Sequence, residues 1–133
     1  MIDLVFFYGT LMSGFKRPGR ATLDRALKPI GRGWIHASLF DLGIYPAAIP
    51  ASEGQVWGEV HQMLDPDDAL ATLDEIEGFS VKAPDASLYR RVETPVVFED
   101  GHSTQAWVYF YNAPLGRAER IASGDYLQHL KIK

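Results

Sequence analysis

The chain has 133 residues, of which 47% are hydrophobic and 23% are charged, so its length and composition indicate one globular domain over residues 1–133. Its formal net charge of -4 argues against nucleic acid as a partner, and the absence of cysteine excludes disulfides and thiolate chemistry. The apolar run at residues 4–7 is too short for a signal peptide or a membrane span, so we expect a cytoplasmic protein with no membrane partner.

Hydrophobic runs separated by glycine and proline predict several strands with one clear helix in the middle. The predicted strands cover residues 4–8, 33–42, 55–64, 89–98 and 105–111. A short helix is predicted at 21–27, a loop at 44–47, and a tail of less certain structure from 118 onward. Most connections are too short for parallel crossovers, which predicts an α+β fold with mostly antiparallel pairing. Residues 106–111 are apolar on both faces, which is typical of a closed or nearly closed sheet.

The most informative segment is residues 66–77, which has the pattern of an amphipathic helix that begins after Asp65 and ends at Gly78. Glu77 lies four residues after Leu73 and therefore projects from the apolar face, at the end of the helix where the macrodipole disfavours an anion. Both features favour the protonated acid and would raise its pKa, which suits a proton shuttle. The alternative is that Glu77 frays out into solvent or meets an arginine.

A glycine follows the first predicted strand, in the sequence Tyr8-Gly9-Thr10-Leu11. Glycine allows the backbone to turn sharply and to bring N–H groups close to a ligand. Such N–H groups suit a carboxylate or a developing oxyanion. A plain turn at the end of a strand is the alternative interpretation.

Six short motifs together resemble the γ-glutamylcyclotransferase-like (AIG2-like) family, and they run in order through nearly the whole chain. They are Tyr8-Gly9-Thr10-Leu11, Tyr45-Pro46-Ala47, the LDEIEG segment 73–78, the LYRRV segment 88–92, the AWVY segment 106–109 and the SGDY segment 123–126. The Tyr-Gly-Thr-Leu sequence is more similar to the γ-glutamylamine cyclotransferase branch than to the glutathione-degrading branch, which usually has Ser in place of Thr.

The resemblance implies a small mixed, mostly antiparallel β-barrel flanked by helices, with Glu77 as the catalytic acid and base. It also implies that the backbone of Tyr8, Gly9, Thr10 and Leu11 holds the γ-glutamyl head group. The further substrate-binding candidates near the cavity are Tyr45, Tyr89, Arg91 and Tyr109.

Two of these candidates have alternatives. Arg91 could hold a substrate carboxylate or orient Glu77, or it could form a structural salt bridge to Glu93 or Glu77. Tyr109 could donate its hydroxyl proton into the pocket, or it could be a core tyrosine with a satisfied hydroxyl.

The implied reaction converts an L-γ-glutamyl group to 5-oxoproline and releases an amine or an amino acid, without a metal or organic cofactor. The alternatives are a related enzyme that removes or hydrolyses an acyl group on the same scaffold, and a non-catalytic module that binds a small molecule. We expect a small-molecule partner and either a monomer or a weak homodimer. The four histidines have no metal-ligand spacing.

Overall fold

A computed structural model describes residues 2–9, 11–12 and 20–132, with the side chains of 20–22 and 132 excepted. Its strands are β1 Leu4–Phe7, β2 Leu27–Ile35, β3 Ala37–Asp41, β4 Pro46–Pro50, β5 Val56–Met63, β6 Tyr89–Phe98, β7 Ser103–Tyr111 and β8 Glu119–Arg120. Its helices are α1 Arg20–Ala26, α2 Pro66–Glu77 and α3 Tyr126–Ile132, with a single 3-10 turn at Pro84–Ala86. Among the described residues, none of the helices has the length and apolar character needed to cross a membrane.

Five strands close into a barrel in the order β1-β5-β2-β6-β7, and the other three form a small sheet in the order β4-β3-β8. The barrel pairs are antiparallel except for β1 and β7, which run parallel. Phe6 lies opposite Val60 on β5 and Val108 on β7, and all three are buried. The predicted α+β class and the mostly antiparallel barrel with flanking helices are confirmed.

The predicted strand at 33–42 is wrong as a single element. It divides at the exposed residue His36 into the end of β2 and the whole of β3, which belong to different sheets. β2 also begins earlier than predicted and includes Pro29, at the point where its register with β5 shifts before Gly31. Proline is tolerated in a strand at such an irregularity because the ladder does not require its missing N–H there.

The predicted loop at 44–47 is also partly wrong, because Pro46 begins β4 and pairs with Asp41 at the end of β3. The Leu42 N–H donates to the Tyr45 carbonyl and closes the connection between these two strands. The tail contains the short strand β8 and helix α3. These segments depend on partners distant in sequence, which local composition does not reveal.

Helix α2 has the predicted bounds, and both ends use local chemistry. At the N-terminus the Asp65 carboxylate accepts a hydrogen bond from the Asp68 N–H at 3.4 Å. At the C-terminus Gly78 adopts φ 68° and ψ 39°, a left-handed conformation that ends the helix directly after Glu77. The Gly78 carbonyl then accepts from the Leu88 N–H at 3.0 Å, which ties the following loop back to this end. The position of Glu77 is therefore fixed from both sides.

Candidate active site

A cavity of about 100 Å³ opens where β1 ends, next to the C-terminal end of α2. Its walls come from the end of β1, the turn after it, the start of β4, α2, β6 and β7. The lining residues are Phe6, Phe7, Tyr8, Gly9, Leu11, Tyr45, Pro46, Ile76, Glu77, Leu88, Tyr89 and Tyr109.

Most of the residues singled out from the sequence share this cavity. Seven line it: Tyr8, Gly9, Leu11, Tyr45, Glu77, Tyr89 and Tyr109. Thr10 lies outside the described residues. Arg91 is not among the lining residues of the cavity and instead lines a separate groove between α2 and strands β6 and β7.

Glu77 is the last residue of α2 and is partly buried. It lines the same cavity as Gly9 and Leu11, so an acid carboxyl and the first turn of the chain share one small space. The helix continues to Glu77 and its end is closed by the left-handed Gly78, which contradicts the alternative of a frayed helix end. The expected rise in the pKa of Glu77 stays a prediction.

Gly9 is needed for a close approach between two segments. A Cβ atom at this position would lie 2.8 Å from the Pro46 Cγ, closer than real side chains allow. The Gly9 carbonyl also accepts from the Met12 N–H at 3.0 Å, so the chain turns at once after β1. Glycine therefore lets the first turn pack directly against the start of β4 at the cavity wall.

Two buried tyrosine hydroxyls in the cavity wall have protein partners. The Tyr8 hydroxyl donates to the Tyr109 carbonyl at 2.6 Å and accepts from the Ala48 N–H at 3.3 Å. The Tyr89 hydroxyl donates to the Pro46 carbonyl at 3.2 Å. These bonds tie the wall of the cavity to β4 and β7.

The third hydroxyl belongs to Tyr109, and it donates to Asp74 Oδ1 at 2.6 Å. We call Tyr8, Tyr89 and Tyr109 the cavity tyrosines. Burial is the main cause that raises the pKa of each cavity tyrosine above its ordinary value, and the nearby charge of Glu77 adds to the rise. All three therefore keep their protons at neutral pH.

Asp74 is held from the other side by Arg91. The Arg91 Nε donates to Asp74 Oδ1 at 2.9 Å and one terminal nitrogen donates to Oδ2 at 3.1 Å, which is a two-point contact. The guanidinium carbon lies 4.7 Å from the ring centre of Trp107 and 5.4 Å from that of Phe79. The two charged side chains are only 14% and 16% exposed, so little water reaches the pair.

The structure bears on the alternatives left open for these two residues. Arg91 does form a structural salt bridge, but its partner is Asp74 and neither Glu93 nor Glu77. Asp74 lies one turn before Glu77 on the flank of α2 that faces β6 and β7, where it reaches the guanidinium at two points. For Tyr109 the structure supports the alternative of a buried tyrosine with a satisfied hydroxyl, because its proton goes to Asp74 and not into the pocket.

Sequence reasoning missed Asp74 as part of the site. The available signal was its place at the edge of the apolar stripe of α2, three residues before Glu77, where its side chain could reach the same strands. No three His, Cys, Asp or Glu side chains in the described part of the chain come together in a way that could bind a metal ion.

Comparisons with known proteins agree with this architecture. Residues 5–128 match the sequence model of the family described as "Gamma-glutamyl cyclotransferase, AIG2-like". The chain is 33% identical over 95 residues to the "Gamma-glutamylcyclotransferase family protein YtfP" of Escherichia coli K12, covering 70% of each protein. It is similar to the crystal structure of YkqA from Bacillus subtilis, with a TM-score of 0.74 and 27% identity, over 99% of this chain and 42% of YkqA. It is also similar to an AIG2-like protein from Mus musculus, with a TM-score of 0.64 and 27% identity, over 85% of this chain and 80% of the mouse chain. The chain belongs to the AIG2-like gamma-glutamyl cyclotransferase family.

Proposed function

We propose that this protein is a cyclotransferase that converts an L-γ-glutamyl group to 5-oxoproline and releases an amine or an amino acid. The observation that carries the proposal is the position of Glu77 in one small cavity with Gly9 and Leu11. Family membership supplies the class of chemistry, and the shared cavity supports it, because the acid lies next to the turn that follows β1.

The reaction is an intramolecular acyl transfer. The α-nitrogen of the glutamyl group bonds to its own γ-carbon, and the bond from that carbon to the leaving nitrogen breaks. An ammonium group cannot attack, so it first loses a proton, and the leaving nitrogen must gain one before it departs. Glu77 takes the proton of the ammonium group and delivers one to the leaving nitrogen, which makes one carboxyl both the general base and the general acid. The new ring nitrogen still carries one hydrogen too many and gives it back to the Glu77 carboxylate as the lactam forms.

The rest of the cavity folds the substrate into the geometry of attack. Because both reacting atoms belong to one molecule, holding the glutamyl chain bent brings most of the rate gain. The backbone of the Tyr8–Leu11 turn binds the substrate carboxylate or the developing oxyanion. Tyr45 and Tyr89 also line the cavity, and no cofactor takes part. The threonine in the Tyr-Gly-Thr-Leu sequence supports the γ-glutamylamine branch, in which the leaving group is an amine.

The test is incubation of the purified protein with γ-glutamyl-ε-lysine, γ-glutamyl dipeptides and γ-glutamylanilide, followed by mass-spectrometric measurement of 5-oxoproline. We expect release from at least one of them, and a loss of about 10²-fold or more in rate for Glu77→Gln. Glu75→Gln is the matched control, because Glu75 lies on the same turn of α2 but is exposed. Thermal melts of both variants check that the fold is kept.

Three outcomes would contradict the proposal. Linear glutamate as the product would identify a hydrolase on the same scaffold. Folded wild-type protein that releases nothing from any substrate but binds them would identify a binding module. Equal losses in the two glutamate variants would show that Glu77 has no special role.

A further inference from the structure

We propose that the Arg91–Asp74 pair fixes the proton of Tyr109 so that the Tyr109 hydroxyl oxygen accepts a hydrogen bond from the substrate ammonium group. The inference rests on the proposed function, since it assigns a partner to one group of a γ-glutamyl substrate. In this arrangement Tyr109 touches the substrate, while Asp74 and Arg91 are positioning residues.

The first step is the direction of the Tyr109 hydrogen bond. A tyrosine hydroxyl has one proton to donate and lone pairs with which to accept. The proton is committed to Asp74 Oδ1 at 2.6 Å, a length typical of a hydrogen bond to a charged acceptor. Any other group that bonds to this oxygen must therefore be a donor.

The second step concerns the Asp74 carboxylate, which is held in one orientation and acts only as a hydrogen-bond acceptor. Both of its oxygens accept from Arg91, at 2.9 and 3.1 Å, and the guanidinium lies against Trp107 and Phe79. A carboxylate paired with a guanidinium only accepts hydrogen bonds, and both oxygens of Asp74 accept from Arg91. The Tyr109 proton thus has one fixed place.

The third step is the polarity of the surrounding cavity. The Tyr8 and Tyr89 hydroxyls also donate to protein carbonyls, so all three cavity tyrosines have committed protons. Glu77 lines the same space, and its charge reaches each of these hydroxyls. Acceptor oxygens and a nearby carboxylate favour a cationic donor, and the only such group on a γ-glutamyl head group is the α-ammonium.

The experiment uses two ligands that cannot react and that differ by the ammonium group alone. L-Methionine sulfone carries a sulfonyl group where a γ-glutamyl substrate carries its γ-carbonyl, and methylsulfonylbutanoate is the same molecule without the ammonium. Binding of each ligand is measured by NMR titration or calorimetry to the wild type and to Tyr109→Phe, Asp74→Asn and the double variant. Tyr111→Phe is the control, because Tyr111 lies two residues further along β7 and does not line the cavity.

We expect Tyr109→Phe to weaken binding of methionine sulfone by about tenfold or more and to change binding of the deamino ligand by less than about twofold. Asp74→Asn should cause the same selective loss, and the double variant should lose no more than Tyr109→Phe alone. Tyr111→Phe should behave as the wild type.

Equal weakening for both ligands would overturn the inference, because it would mean that Tyr109 only supports the fold. Unchanged binding in Tyr109→Phe, or a wild type that does not prefer the ammonium ligand, would overturn it too. If the selective loss is found in a protein that forms no 5-oxoproline, the inference stands and the proposed reaction fails. The two ideas are therefore tested separately.

Discussion

The change in the free energy of unfolding when the Arg91–Asp74 pair is broken measures how well the region behind the cavity excludes water. We consider Arg91→Met, which keeps an unbranched apolar stem against the Trp107 and Phe79 rings but removes the charge. Asp74 then remains as a mostly buried carboxylate without its cation. Breaking a buried pair in this way costs about 3–5 kcal/mol, and the 14% and 16% exposure of the two side chains places the expected loss near 3 kcal/mol.

The interaction itself is obtained from a double-mutant cycle with Asp74→Asn. When the acid is already neutral, Arg91→Met leaves no unpaired anion, so its cost should fall and the coupling free energy should be about 2 kcal/mol. Denaturant unfolding followed by fluorescence or circular dichroism gives the free energy of each variant. An unchanged m-value checks that the same surface is exposed on unfolding.

The chain contains a matched control on the neighbouring residue. Arg90 lies 3.8 Å from Asp85 through a single contact, and the two side chains are 48% and 93% exposed. Water screens such a pair, so its coupling should stay below about 0.5 kcal/mol. If the coupling free energy of Arg91 and Asp74 is no larger than that of the control pair, water reaches both side chains and Arg91 does not hold Asp74 in place.

Two further outcomes follow from the cavity wall. Above the ordinary tyrosine pKa of about 10 the unfolded chain loses phenolic protons that the folded cavity tyrosines keep, so stability should fall as pH rises. For the three residues together the slope should be roughly 2 kcal/mol per pH unit near pH 10 and should approach roughly 4 kcal/mol per pH unit about one unit higher. Denaturant unfolding at a series of alkaline pH values measures the slope, and a flat profile would contradict it. Gly9→Ala should lower the rate of 5-oxoproline release while the protein stays folded, because its Cβ would lie 2.8 Å from the Pro46 Cγ and shift the wall. Gly31→Ala, whose Cβ would meet Phe98 at an ordinary 3.6 Å, should leave the rate unchanged, and equal effects would contradict the explanation.

The elements that could be predicted from the sequence are those with signals in their own residues. Helix α2 begins and ends where Asp65 and Gly78 place its caps, and β6 has the predicted bounds. The split between β2 and β3 could not be predicted in this way. Residues 33–42 are continuous in pattern, but β2 pairs with β5 and β6, whereas β3 pairs with β4 and β8. That choice depends on partners far away in sequence.

The same distinction between local sequence signals and distant partners applies to the candidate site. The helical spacing placed Glu77 on the apolar face of α2, and the structure has it in the cavity wall. The partner of Arg91 could not be found by spacing, because Asp74, Glu77 and Glu93 are all acids within reach of the same strand. Only the packing of α2 across β6 and β7 selects Asp74.

The selection of Asp74 has a consequence for the charge of the cavity. Asp74 and Glu77 are one turn apart on the same helix, and two ionised carboxylates so close would repel each other. Arg91 neutralises Asp74 and uses both of its oxygens, so the charge of Asp74 is compensated between α2 and β6. Glu77 is then the one carboxylate among the described lining residues, which suits a head group with a single ammonium. In the proposed reaction two acids of the same helix thus have different roles, since Asp74 orients the Tyr109 proton and Glu77 exchanges protons with the substrate.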